Sequence, residues 1–151
     1  MATTVTASTL SVKISESITL NGVSRNGGTT LSVASIKSIA NRIVEVTNAT
    51  NGTELITVST APGAGVYDKS SVKYMRVTNL DDTNFILLQF TDSSSHHWEA
   101  KLEAGKSYVI GDLSSIDDQA DIDNFSASAV AKVIAKADTA AVDVELYIAS
   151  T

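Results

Sequence analysis

The sequence contains no cysteine, so neither a disulfide framework nor a thiolate metal site is open to it. Aromatic residues make up only 5% of the chain, which leaves few platforms for stacking on a sugar ring. No apolar run approaches the ~20 residues that a membrane-spanning helix needs, so no membrane partner is expected. Residues 1–9 are small and hydroxylated, without the basic and apolar regions of a secretory leader, and we expect the protein to be made and used without secretion. Charged residues are also scarce, at 19% against the ~25% usual for globular domains. The 11 lysines and arginines are scattered singly, and the net charge is −6, so no nucleic-acid partner is expected either.

Serine and threonine fill the polar positions instead, at roughly a quarter of the chain. Hydroxyl side chains interleaved with β-branched ones favour pleated surfaces over helices. The length suits one domain, expected to span residues 1–151. Residues 9–15 alternate Leu10, Val12 and Ile14 against Ser11, Lys13 and Ser15, the period-two pattern of a strand with one wet face. Ile18 and Leu20 continue it up to the turn signal Asn21-Gly22, and Asn26-Gly27-Gly28 follows. Residues 35–41 place Ile36, Ile39 and Ala40 at helix-compatible spacing and read as a loop with at most one or two helical turns. Residues 42–47 read as a strand that enters a hairpin-like turn at 48–52 before Leu55, Ile56 and Val58. The sole proline, Pro62, lies in the breaker at residues 61–65.

Residues 71–79 form the next strand expectation, followed by a polar turn at 80–84. Residues 85–90 are almost wholly apolar and predict a strand buried on both faces. After a turn at 92–95, Trp98, Ala100 and Leu102 alternate, and residues 103–106 return the chain into 107–110. Strands so closely spaced describe an antiparallel meander or part of a Greek key. Residues 126–136 fit helix or strand; we read 130–137 and 142–149 as a closing hairpin around 138–141. About eight to ten strands at this spacing, with little helix, predict an all-β antiparallel β-sandwich of jelly-roll type.

Chemistry-bearing clusters are few, and each lacks a member. His96-His97-Trp98-Glu99 places neighbouring imidazoles on opposite faces of a strand, and His97 with Glu99 leaves a zinc site incomplete. Trp98 reads better as a core anchor. Asp112, Asp117, Asp118, Asp121 and Asp123 could offer oxygen ligands to a calcium ion, but without the order of an EF-hand they read as a solvated loop. Asp81-Asp82 fits turn chemistry, and Ser94 and Ser95 beside His96 imply no orienting acid. Gly22, Gly27 and Gly28 make no phosphate loop, and Asn48, Asn51 and Asn124 match the glycosylation pattern as a Ser/Thr-rich chain does by chance. We therefore expect no catalytic, cofactor or metal residues, and no enzyme.

Residues 72–88, with Arg76-Val77-Thr78-Asn79, the turn Leu80-Asp81-Asp82-Thr83-Asn84 and the apolar strand from Phe85, resemble small β-rich virion proteins of tailed bacteriophages. The return at Leu102-Glu103-Ala104-Gly105 and the closing strand from Val142 to Ile148 are similar to theirs, so the resemblance covers about half the chain. It implies a non-enzymatic virion structural protein, assembled in the host cytoplasm, whose partners are a major capsid protein or other virion proteins and further copies of itself. A capsid cement or decoration subunit is the leading role, and a tail- or fibre-associated component is the nearest alternative. Residues 1–8 are then expected to reach out as an arm that orders on contact. A carbohydrate-binding sandwich would instead need exposed aromatics among Tyr67, Tyr74, Trp98, Tyr108 and Tyr147.

Overall fold

The computed structural model describes residues 4–61, 63, 65–68, 70–111, 113 and 130–151. Thirteen strands, β1 to β13 in chain order, lie among them, and their pairings are nested. Innermost is the hairpin of β9 (Ile86–Thr91) and β10 (His97–Leu102), with Phe90 opposite Trp98. Around it β8 (Val72–Asn79) pairs with β11 (Ser107–Ile110). Further out, β6 (Thr53–Ser59) pairs with β12 (Lys132–Ala137), and β5 (Ser38–Val46) with β13 (Val142–Ser150). All four pairs are antiparallel, so the chain forms one long two-stranded ribbon that rolls up.

Rolling produces two sheets, ordered β10-β9-β12-β6-β7 and β11-β8-β13-β5, where the short β7 (Val66–Asp68) lies parallel to the edge of β6. This is an all-β sandwich with jelly-roll connectivity, in accord with the sequence. The inner faces meet in one core that includes Phe90, Met75, Leu88, Leu146 and Ile148, each almost wholly shielded from water. Strands β8 and β13 alternate buried and half-buried residues along their middle, because one face meets the core and the other faces outward.

The long-range pairing corrects several local expectations. Residues 35–41 are not a loop with helical turns: β4 (Gly27–Ile36) ends and β5 begins there, separated only by Lys37. Nine consecutive rungs on β13 outweigh the helix-compatible spacing. Strand β9 is buried on one face only, since Ile86, Leu88 and Phe90 point inward while Leu87 is 36% exposed. A two-layer sandwich has no third layer to cover it. The meander alternative fails, because β8 and β9 lie in different sheets. The closing hairpin fails for the same reason: β12 and β13 are both strands, but the chain crosses from sheet to sheet between them. Strands β5 and β6 likewise cross over at residues 47–52 rather than forming a hairpin.

Two polar groups tie the sheets together. Asn79 is fully buried at the end of β8; its Nδ2 donates to the Asn84 carbonyl at 2.9 Å and the Leu102 carbonyl at 3.3 Å, while its Oδ1 accepts the Asp81 N–H at 2.9 Å. Arg42, on the outermost strand β5, donates across the sandwich to the Leu55 carbonyl of β6. Gly52, at φ 66°, is packed so closely that a Cβ would come 2.7 Å from the Ala135 carbonyl oxygen, which explains a glycine in this crossing. Of the acidic segment 112–123, Leu113 is buried in the core, and its five aspartates lie outside the described residues, as do residues 126–129. Among the described residues no helix is long and apolar enough to cross a membrane.

Candidate functional site

Ahead of the sandwich stands a separate β-ribbon. Strand β1 (Ser8–Glu16) pairs with β4, and the ribbon continues into the small hairpin of β2 (Thr19–Leu20) and β3 (Val23–Ser24). The Asn21-Gly22 signal makes the tip: both residues have positive φ, at 50° and 77°, as a two-residue hairpin loop of type I′ requires. Stem and tip are joined by the Arg25 N–H donating to the Ile18 carbonyl at 2.8 Å and the Ile18 N–H donating to Asn26 Oδ1 at 3.0 Å. Of the arm expected at residues 1–8, residues 1–3 lie outside the described residues, residues 4–7 are exposed and outside any strand, and Ser8 already begins a ribbon over residues 8–36. Ten residues of β4 correspond to about 33 Å of reach.

The register gives this ribbon one apolar face. Leu10 lies opposite Val33, Val12 opposite Leu31, and Ile14 opposite Thr29, whereas the alternate rungs pair Ser11 with Ser32 and Lys13 with Thr30. At its base the apolar face sits on the outer surface of the four-stranded sheet: Leu10, Val12 and Val33 pack against a small second core of Ile36, Tyr74 and Ala149, with Tyr147 alongside. A bulge guides it there, as the register slips between Ser8 and Leu10, opposite Ser35 at φ 63°. Beyond that base the stripe has no cover. Ile14 and Leu31 are each 43% exposed, and Ile18, Leu20 and Val23 are more than half exposed. Beside the base, the same outer sheet surface leaves Ile39, Ile43 and Val109 exposed.

Polar groups on this surface form one network. Arg76 pairs with Glu145 at 2.8 Å, donates to the Thr78 hydroxyl, and lies 6.0 Å over the Tyr147 ring. Tyr147 in turn meets Tyr74 edge-on at 6.0 Å, and burial pushes the Tyr74 phenol up from its ordinary value. These contacts tie β8 to β13 beneath the ribbon base. They bring together a cation, a carboxylate and two phenols that are occupied with one another, with no nucleophile and base in reach of a common point.

The clusters singled out in the sequence serve the turns. His96 Nδ1 lies 3.1 Å from Asp92 Oδ2, and Asp92 Oδ1 accepts the Ser94 and His96 N–H groups at 2.8 and 2.7 Å, closing the loop between β9 and β10. His97 and Glu99 share the outer face of β10 as the two-residue period requires, where Glu99 accepts from Gln89 Nε2 at 2.9 Å. Trp98 faces inward and stacks on Phe90 with ring centroids 4.0 Å apart, in accord with its reading as a core anchor. Among the described residues no three His, Asp or Glu side chains gather as metal ligands.

Asp81 caps the turn between β8 and β9. Its Oδ1 accepts the Asn84 N–H at 2.6 Å and the Thr83 N–H at 2.8 Å, and these bonds, Asn84 first, hold its carboxyl below the usual carboxylate range. Asp68 is lowered in the same direction, chiefly by the Ser70 hydroxyl and N–H. Groups with depressed folded-state values contribute stability that is complete above the unfolded value of ~3.9 and lost as the pH falls through the folded one. Thermal melts should therefore decline below about pH 4. The Asp81→Asn variant, which keeps an acceptor but cannot titrate, should show a shallower decline; an equal slope would assign acid sensitivity to other carboxylates.

Comparison of the chain with protein-family models, with curated proteins and with solved structures gives no match.

Proposed function

We propose that this chain is a non-enzymatic structural subunit of a tailed-phage virion, a capsid cement or decoration protein working through protein–protein contacts. The observation that carries the assembly part of this reading is the ribbon with its uncovered apolar stripe. A free-standing chain has no use for five apolar side chains held about a half exposed on a projecting ribbon, whereas an assembly subunit does. The virion part rests on the resemblance of residues 72–88, of the return after Leu102 and of the closing strand. The jelly roll adds support by analogy of fold, since viral capsid domains use it, as lectin domains also do.

The described surface favours contacts over a glycan cleft. Trp98 is engaged with Phe90, and Tyr74 and Tyr108 are packed into the two cores, so the stacking platforms a sugar site would use are occupied. Quantitative mass spectrometry of purified particles tests the proposal. A copy number equal to the major capsid protein, or a simple fraction of it, is the expected result. A handful of copies per particle would move the chain to the tail, and its absence from particles would sink the virion reading.

A further inference from the structure

We infer that the distal half of the ribbon docks on the outer sheet surface of a second copy of this chain, covering its Ile39 and Ile43. The inference deepens the reading of the chain as an assembly subunit and rests on it.

Four observations lead there. First, the apolar face of the ribbon runs from Leu10 to Ile14 before Glu16 interrupts it, and its base already shows what such a face binds: Leu10, Val12 and Val33 are seated on the outer surface of the four-stranded sheet of their own chain. Second, the ribbon carries more side chains of the same kind, Ile14 and Leu31 at 43% exposed and Leu20 and Val23 at more than half, and none of the four belongs to either core of its own chain. Third, that same outer surface has room left over. Ile39 and Ile43, on the outermost strand β5, are 56% and 65% exposed. Fourth, the chain cannot close this contact on itself, because only Lys37 separates the ribbon from β5 and the tip projects away at the far end of β1 and β4.

Uncovered donor and uncovered acceptor surfaces in one chain satisfy each other when copies meet. The ribbon and the sheet are different patches, so the contact is heterologous; it closes as a reciprocal exchange or as a ring, and each copy makes it twice. In the reciprocal exchange a single interface holds the contact twice, which helps it reach the roughly 1,000 Å² that a stable interface buries in total. Charge does not oppose it. Asn21, Gly22 and Ser24 at the tip are neutral and Arg25 follows them, while the outer face beside Ile43 carries two acids, Glu45 and the Asp143 opposite it.

The absence of cysteine makes the test direct. Full-length Leu20→Cys and Ile43→Cys variants are purified separately, then mixed under mild oxidation. The expected result is a disulfide-linked pair that forms in the mixture and much less with either variant alone. Cross-linking of Ile43→Cys with itself would instead indicate edge-to-edge pairing of β5 strands, and cross-linking of Leu20→Cys with itself would indicate tip-to-tip contact. Either result overturns the inference. In sedimentation across the micromolar range the unmodified chain should self-associate, and Leu20→Asp should weaken association by about tenfold or more. The circular dichroism and melting temperature of that variant should stay nearly unchanged, since Leu20 is 58% exposed at the ribbon tip and belongs to neither core. A monomer at every concentration overturns the inference too. Finding such a monomer in purified particles would leave the virion reading standing, whereas a cross-linked oligomer absent from particles would remove only the virion reading.

Discussion

Phe90→Ala should cost about 3–5 kcal/mol of folding stability, the range for truncating a large aromatic in a packed core. Phe90 is 1% exposed in the middle of the inner face. It stacks on Trp98 at 4.0 Å and touches Tyr108 at 5.8 Å, so it joins the β9–β10 hairpin to β11 of the opposite sheet. Removing the ring deletes its own burial and leaves Trp98 and Tyr108 without their central contact. A domain of this size holds only about 5–15 kcal/mol in all, so the loss is a large share of the total. At about 2–4 °C per kcal/mol, the melting temperature should fall by roughly 6–20 °C. Leu87→Ala, three residues earlier on the outer face of the same strand, serves as the contrast and should cost far less. Equal losses at the two positions, measured by urea titration, would mean that β9 is buried on both faces after all.

Asn79→Asp should be nearly as damaging, for an electrostatic reason. The amide donates to two carbonyl oxygens, those of Asn84 and Leu102, in a site closed to water. A carboxylate has no hydrogen to offer, so one oxygen would face oxygens and a charge would be buried with the Asp81 N–H as its donor and no counter-charge. The expected cost at neutral pH is about 2–5 kcal/mol. Its pH dependence is diagnostic. Burial and the facing carbonyls raise the folded-state value of the introduced carboxyl, so the folded form favours the proton that restores a donor. The penalty is therefore full at high pH and shrinks as the pH falls through that raised value. Against the wild type, whose own acid loss runs the other way, the difference in melting temperature should narrow toward pH 4. A difference that does not change with pH would show that the site tolerates the charge or admits water.

These two residues show how unevenly the sequence discloses the fold. The alternation of Leu10, Val12 and Ile14, the Asn21-Gly22 tip and the inward pattern of Trp98, Ala100 and Leu102 are local facts, written at a spacing of two along the chain. They determine strands, turns and the all-β class, because side-chain direction in a strand depends on nothing further away than the next residue. Trp98 as a core anchor was legible for that reason. The wet face of Leu87 was not, because an apolar run of six residues does not say how many layers will stack on it.

Pairing is the part the chain withholds. Among the described strands of the sandwich, the β9–β10 hairpin and the short parallel β6–β7 pair join neighbours in sequence; β5 finds β13 some hundred residues away, and the helix-compatible stretch at 35–41 is strand on either side of Lys37 because that partner is there. The same holds for the candidate site. Leu10, Ile14, Leu20 and Ile43 each look like ordinary core residues in sequence, and periodicity alone places all of them inside. Which of them are covered is decided by what packs on each: Leu10 lies against the cluster of Ile36, Tyr74 and Ala149 and is half-buried, while Leu20 and Ile43 belong to neither core and are exposed. The sequence by itself determined the all-β class and the local strands and turns. Tertiary structure decided where its apolar surface runs out of partners, since burial belongs to the assembled layers and not to any residue alone.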